Sequence, residues 1–171
     1  MKNKLIIYQT FPRLFGNENS KKIKNGNYQE NGCGKFNAYT NEALQAIKNL
    51  GITHIWYTGI IRHATQTDYS THGIKPNHPA IVKGKAGSPY AITDYYDVDP
   101  DLAEDVNNRM HEFEALIKRS QLAGLKVIID FVPNHVAREY HSQKKPKTIL
   151  DFGENDKKDA FFSPENNFYY L

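Results

Sequence analysis

Twice along this chain an amphipathic helical pattern ends in a glycine and gives way at once to a β-type run, and this order constrains the fold more than any other feature. Before the run at 52–57, Ala43, Leu44, Ala46, Ile47 and Leu50 fall on one helical face, and Gly51 supplies the stop. Before the run at 127–132, Met110, Phe113, Leu116, Ile117 and Leu122 recur at i, i+3 and i+4. Lys118 and Arg119 come late in that helix, where cations complement the dipole, and Gly124 ends it. A third run, at 5–8, precedes both helices. The runs at 5–8 and 127–132 are nearly continuous in apolar residues, the mark of strands covered on both faces of a parallel sheet. The order β-α-β-α-β predicts an α/β fold with parallel strands and right-handed crossovers, and both a barrel and a doubly wound sheet satisfy it.

With 171 residues, the chain has the length of one domain. Counting its 11 glycines in place of its 11 tyrosines leaves the apolar fraction at 39%, below the roughly 45–50% of ordinary domains, so the core is thin or much of the chain is surface loop. The excess of basic over acidic residues is only 3, with no block of like charges, which excludes a nucleic-acid or anionic-membrane partner as the expected reading. Cys33 stands alone between polar and glycine residues and reads as an inert thiol. The apolar run beside Lys2 and Lys4 is too short for the core of a signal peptide, and no stretch approaches a membrane span, so a soluble, cytoplasmic protein is expected.

The segment 59–100 is long for a connection in a compact domain and leaves the C-terminal end of the second strand, where α/β proteins place ligands. Within it, His63, His72 and His78 are too irregularly spaced for a zinc motif. Lys83-Gly84-Lys85-Ala86-Gly87 lacks the spacing of a phosphate loop and reads as a flexible turn. After His135 the periodicity is lost, and the chain becomes rich in Lys, Asn, Asp and Ser, with aromatics near its end. The acids Glu139, Asp151, Glu154, Asp156, Asp159 and Glu165 lie in this polar stretch and read as solvated surface.

Chemistry concentrates in Asp130-Phe131-Val132-Pro133-Asn134-His135, which puts an acid at the end of an apolar strand and an imidazole within a turn of it. The hexapeptide is similar to the first sequence signature of the α-amylase family of glycoside hydrolases. The segment Ser88-Pro89-Tyr90-Ala91-Ile92-Thr93-Asp94-Tyr95-Tyr96-Asp97-Val98-Asp99-Pro100 resembles that family's approach to its second helix. Ile7-Tyr8-Gln9-Thr10-Phe11-Pro12-Arg13-Leu14-Phe15 and Gly51-Ile52-Thr53-His54-Ile55-Trp56-Tyr57-Thr58 resemble its first strand with the following loop and its second strand. The resemblance runs from about residue 5 to 136, and it departs at Gly59, where the family commonly has proline.

The resemblance implies a partial TIM (β/α)8 barrel, comprising the first three βα units and the start of the long excursion after strand 3. Residues 1–136 would be the N-terminal part of the catalytic barrel, and 137–171 the beginning of a loop-rich, domain B-like excursion. It implies that Tyr90 stacks on a sugar ring at subsite −1, where an aromatic face removes C–H surface from water. His135 would bond the 6-hydroxyl region of the same sugar, Asp130 would orient an arginine near the nucleophile, and Asp94 would brace its loop. Asn134 is a calcium ligand in some members, but a calcium site needs about six to eight oxygens, so no metal or other cofactor is assigned. The partner implied is an α-glucan such as starch or a malto-oligosaccharide.

Retaining hydrolysis needs two carboxyl groups about 5–5.5 Å apart, which in this family come from the fourth and fifth strands. Both strands would lie beyond Leu171, so no catalytic residue is expected in this chain, and the isolated chain is expected to be inactive and prone to self-association. Two functions fit: the N-terminal portion of an α-glucan-active hydrolase or transglycosylase, or a non-catalytic carbohydrate-binding or assembly module on a half-barrel. A reading frame continuing into a strand with an Arg-x-Asp motif favours the first.

Overall fold

The computed structural model describes residues 4–170, so Lys2 and Leu171 lie outside the described residues. Its elements, in chain order, are strand β1 (Ile7–Thr10), the single-turn helix α1 (Tyr28–Asn31), helix α2 (Asn41–Asn49) and strand β2 (His54–Tyr57). Strands β3 (Ile61–His63) and β4 (Ile92–Val98), helix α3 (Arg109–Leu122) and strand β5 (Lys126–Ile129) follow, with short 3-10 turns between them.

Local chemistry sets the ends of the helices. Thr40 accepts a hydrogen bond from the Ala43 amide at 3.2 Å, satisfying one of the donors a helix start leaves free. Gly51 and Gly124, at φ +82° and +76°, turn the chain out of α2 and α3 through left-handed backbone that a side chain would strain. Lys48 Nζ then donates to the Gly124 carbonyl at 2.9 Å and ties the two helix-to-strand turns together. Leu44 and Ile47 of α2 and Phe113 and Leu116 of α3 are buried. Leu50 and Leu122, expected on the same apolar faces, are 71% and 79% exposed. Each sits where its helix unwinds, off the stripe that a continuing helix would extend, and Ala46 and Met110 are also exposed.

Strands β1, β2 and β5 form one sheet in the order β1-β2-β5, parallel throughout, with Tyr8, Ile55 and Val127 in register. The strands are offset from their expected spans. β1 begins at Ile7, and Ile6 before it is held by Thr53, whose hydroxyl accepts from the Ile6 amide and donates to the Ile6 carbonyl, both at 2.9 Å. β5 ends at Ile129, opposite the last residue of β2, so 130–132 leave the ladder.

Alternation gives the sheet two different faces. Tyr8, Ile55, Tyr57 and Val127 pack with Leu44, Ile47, Phe113 and Leu116 beneath α2 and α3. The Tyr57 hydroxyl reaches Ser120 Oγ of α3 at 2.7 Å, and the Tyr39 ring packs edge-on against Tyr57 at 5.0 Å and stacks on Phe15 at 4.0 Å. Gln9, Trp56 and Ile128 occupy the opposite face.

The segment 59–100, expected as one long connection, contains a second sheet: β3 pairs antiparallel with β4. Arg62 and His63 obscured it in the sequence, because charged residues in the middle of a short run mimic a loop. Both are buried, and acids of the β4 region meet them. Asp97 of β4 also accepts two bonds from Arg109 at the start of α3, Nε at 2.8 Å and Nη2 at 2.7 Å. This fork fixes the small sheet to the helix layer.

Among the described residues no helix is long and apolar enough to cross a membrane, and neither outer edge of the three-stranded sheet has a partner. Ile129 and Phe131, at and just past the β5 edge, are 44% and 66% exposed. Open parallel edges beside exposed apolar groups invite pairing between chains. The purified 171-residue chain should therefore rise in mass with concentration in size-exclusion chromatography with light scattering. A constant monomer mass across a wide dilution range would contradict this expectation.

Candidate functional site

The C-terminal end of the parallel sheet is built by side chains of the face opposite the helices. Gln9 Nε2 donates to Thr58 Oγ1 at 2.8 Å. Trp56 Nε1 donates to Asp130 Oδ1, so the first acid of the hexapeptide points over the same face, two residues on from Ile128. Gln9 and Thr58 line a cleft of about 440 Å³ with Thr10, Phe11, Arg13, Pro89 and Tyr90. Tyr90 is 47% exposed there, with ring area free for a ligand.

Gly59 explains how the Tyr90 segment reaches the strand ends. Its φ is +75°, and a Cβ at that position would lie 2.7 Å from Pro89 Cβ and 2.9 Å from Phe11 Cε2. Proline, locked near −65°, cannot adopt this backbone, so the departure from the family pattern is also a departure in geometry. Gly87 is equally constrained, since a Cβ would fall 1.8 Å from the Ala64 carbonyl oxygen.

Asn134 and His135 line a second, larger cleft of about 900 Å³, walled by Tyr95, Phe131, Tyr140, Phe152 and Tyr169. His135 Nδ1 and Asn134 Oδ1 are 2.7 Å apart. The Tyr95 hydroxyl donates to the Val132 carbonyl and so holds the hexapeptide turn against β4. Tyr95 packs against Phe131, Tyr140 and Phe152 with ring centroids 5.4, 5.7 and 6.2 Å away. Tyr90, Asp130 and His135 thus share one end of the sheet, but Tyr90 and His135 line different clefts with no lining residue in common.

Asp94 is fully buried. Its Oδ2 accepts from the Gln143 and Lys144 amides at 2.7 and 3.1 Å, and its Oδ1 from the Tyr96 amide at 2.9 Å, so it clamps the chain after the hexapeptide onto β4. Two acids expected as free surface also brace loops. Asp151 accepts from the Ser142 amide at 2.8 Å, and Asp156 from the Asn167 and Phe168 amides at 2.9 Å. In both cases the carboxylate replaces the backbone partners that an irregular segment lacks.

Sequence reasoning missed a buried charge cluster behind the first cleft. His63 Nε2 lies 2.7 Å from Asp99 Oδ2 and 2.7 Å from Arg13 Nη2. Asp99 Oδ2 is buried and, among the described residues, has no hydrogen-bond partner, although His63 Nε2 stands beside it. Burial opposes the charge on Asp99, but the neighbouring His63 and Arg13 outweigh it and hold its carboxyl below the usual range. Asp101 is pushed up to about 6, first by burial and then by the charge of Asp99, while it accepts a 2.7 Å bond from the Tyr69 hydroxyl. Burial, and then the same two carboxylates, push the Cys33 thiol up to about 12, which leaves it unreactive.

Among the described residues no three His, Cys, Asp or Glu side chains converge closely enough to hold a metal ion. Asn134 Oδ1 is engaged with His135 in this structure.

A family model described as alpha amylase, catalytic domain, matches residues 9–168. The chain belongs to the α-amylase family of glycoside hydrolases. It is 29% identical over 132 residues to Maltase A1 of Drosophila melanogaster, covering 77% of this chain and 17% of that protein. An α-amylase structure from Lactobacillus plantarum superposes with a TM-score of 0.53 at 28% identity, over 79% of this chain and 24% of that one. An amino acid transporter heavy chain of Mus musculus is 28% identical over 134 residues, covering 78% of this chain and 14% of that protein. The chain thus spans a quarter or less of the length of each of these relatives.

The Asp101 environment makes stability depend on pH in a definite direction. Because its folded pKa, about 6, exceeds the ordinary 3.8, its contribution is complete below 3.8 and is lost as pH rises through 6. Asp101→Asn keeps an acceptor for Tyr69 and removes the charge. It should stabilise the chain by about 1–2 kcal/mol at pH 7.5, with the gain vanishing near pH 4. Urea melts at the two pH values measure this, and an equal destabilisation at both would show that the buried charge does not weigh against the fold.

Proposed function

We propose that this chain is the N-terminal part of the (β/α)8 catalytic barrel of an α-amylase-type glycoside hydrolase or transglycosylase acting on α-glucans. The observation that carries the reading is that Tyr90, Asp130 and His135 lie at the C-terminal end of one parallel sheet, where barrel enzymes bind substrate. Tyr90 offers a ring face for a sugar at subsite −1, His135 a donor for its 6-hydroxyl region, and Asp130, held by Trp56, a carboxylate to orient an arginine supplied by a later strand. In this reading residues 1–136 carry the first three strands of the barrel and the helices before the second and third, and 137–171 begin the domain B-like excursion. The nucleophile and general acid/base belong to strands four and five of the complete barrel. This chain therefore binds sugar without hydrolysing it, since contacts that do not act on the reacting bond leave the barrier in place.

A maltase and an α-amylase among the relatives support an α-glucan as substrate. The similarity to a transporter heavy chain favours a second reading, a non-catalytic assembly or binding module on the same scaffold. A parent reading frame that continues into a strand bearing Arg-x-Asp separates the two.

Titration with maltoheptaose by calorimetry tests the binding half. Tyr90→Ala should weaken the affinity by about tenfold, the loss expected of one well-placed aromatic contact. Reducing ends released from soluble starch should not exceed those of a Tyr90→Ala, His135→Ala control. Turnover above that control would mean that the catalytic acids lie within these residues after all.

A further inference from the structure

Four consecutive carbonyl groups in the turn before Tyr90 are each met by a donor, and the donors come from two different parts of the chain. Gly84 and Lys85 are held from the β3 side, where Gln66 Nε2 donates to the Gly84 oxygen at 2.7 Å and the Gln66 amide to the Lys85 oxygen at 2.8 Å. Ala86 and Gly87 are held by Arg13 alone among the described residues, with Nη2 donating to the Ala86 oxygen at 3.0 Å and Nη1 to the Gly87 oxygen at 2.9 Å. Arg13 lies three residues past β1, so its bonds connect the end of that strand directly to the turn.

We infer that Arg13 is a positioning residue for Tyr90, anchoring the 83–90 segment over the ends of β1 and β2 so that the ring lines the first cleft. The role rests on the reading of Tyr90 as the sugar-stacking residue. A guanidinium suits the task because its planar fork presents parallel donors to two successive carbonyls at once. The fork is itself held in place: its carbon lies 5.6 Å from the centroid of the Phe11 ring, and Phe11, Arg13 and Tyr90 line the same cleft. On its inner side Arg13 meets the His63 and Asp99 pair, which offsets its charge away from solvent. The turn expected to be flexible is therefore tied on both sides, and its second tie comes from the strand whose end it must cover.

The same preparation yields two readouts. Limited trypsin digestion reports on the turn, because Lys83 and Lys85 are exposed within it. Arg13→Ala should speed cleavage there by about tenfold or more while sites in α3 and β5 stay protected, because it opens the turn without unfolding the chain. Arg13→Lys should fall between, since one ammonium cannot meet both carbonyls in the same geometry. Maltoheptaose titration reports on Tyr90. Arg13→Ala should weaken binding as much as Tyr90→Ala, and the double variant should be no weaker than either, because both changes remove the same contact.

Unchanged cleavage at Lys83 and Lys85, or additive losses of affinity, would overturn the role. Should Arg13→Ala fail to fold, the comparison of Arg13→Lys with the unaltered chain decides by the same criteria. A chain that binds no maltoheptaose would refute the sugar-stacking reading, while the digestion would still decide whether Arg13 holds the Tyr90 segment.

Discussion

Asp97 carries a charge into the interior, and the elements around the site are arranged to answer it. Its side chain is almost without solvent contact, so in isolation its charge would cost several kcal/mol of lost hydration. Arg109 meets it with a two-pronged contact, and Arg62 stands 3.4 Å away on the other side. The three residues belong to β4, α3 and β3, which the chain brings together from three separate stretches. Removing one partner would leave a buried charge unmatched, at about 3–5 kcal/mol, so the small sheet cannot drift from the helix layer without a large penalty.

Everything placed at the sheet end by the 59–100 segment inherits that rigidity. Asp94 and Tyr95 hang from the same strand as Asp97, one clamping the 143–144 amides and the other holding the hexapeptide turn at Val132. His135 is thus positioned from β4 as much as from β5, although only β5 leads into it along the chain. The two clefts are built from different elements because of this division of labour. One is floored by the polar pair Gln9 and Thr58, and the other is walled by rings that pack on Tyr95.

The three parallel strands and two of the helices were legible in the sequence, because burial under α2 and α3 imposes the very periodicities that mark strand and helix. Their limits were less so: β1 runs 7–10 rather than 5–8, and the backbone and side chain of Thr53 both bond Ile6 just before it. The second sheet was illegible for a different reason. Its apolar pattern is broken by Arg62 and His63, whose partners Asp97 and Asp99 lie more than thirty residues away, and no local pattern reveals a pairing made through space. Family likeness singled out Tyr90, Asp130 and His135 as candidates, whereas Trp56, Gln9 and Thr58 could have been found from alternation alone. Arg13 could not, since it acts on backbone carbonyls, which leave no trace in residue identity.

The hydrogen atom that serves as the side chain of Gly59 has a consequence for how this sequence can vary. Pro89 and Phe11 fill the space it leaves, so positions 11, 59 and 89 form a single packing unit drawn from three loops. A relative with proline at the equivalent of 59 must route its backbone differently and leave room for other groups at the other two positions. Exchange of loops between this chain and such a relative would therefore succeed only if all three positions travel together. The unit of inheritance at this end of the sheet is a contact shared among loops, and a single grafted segment would carry only part of it.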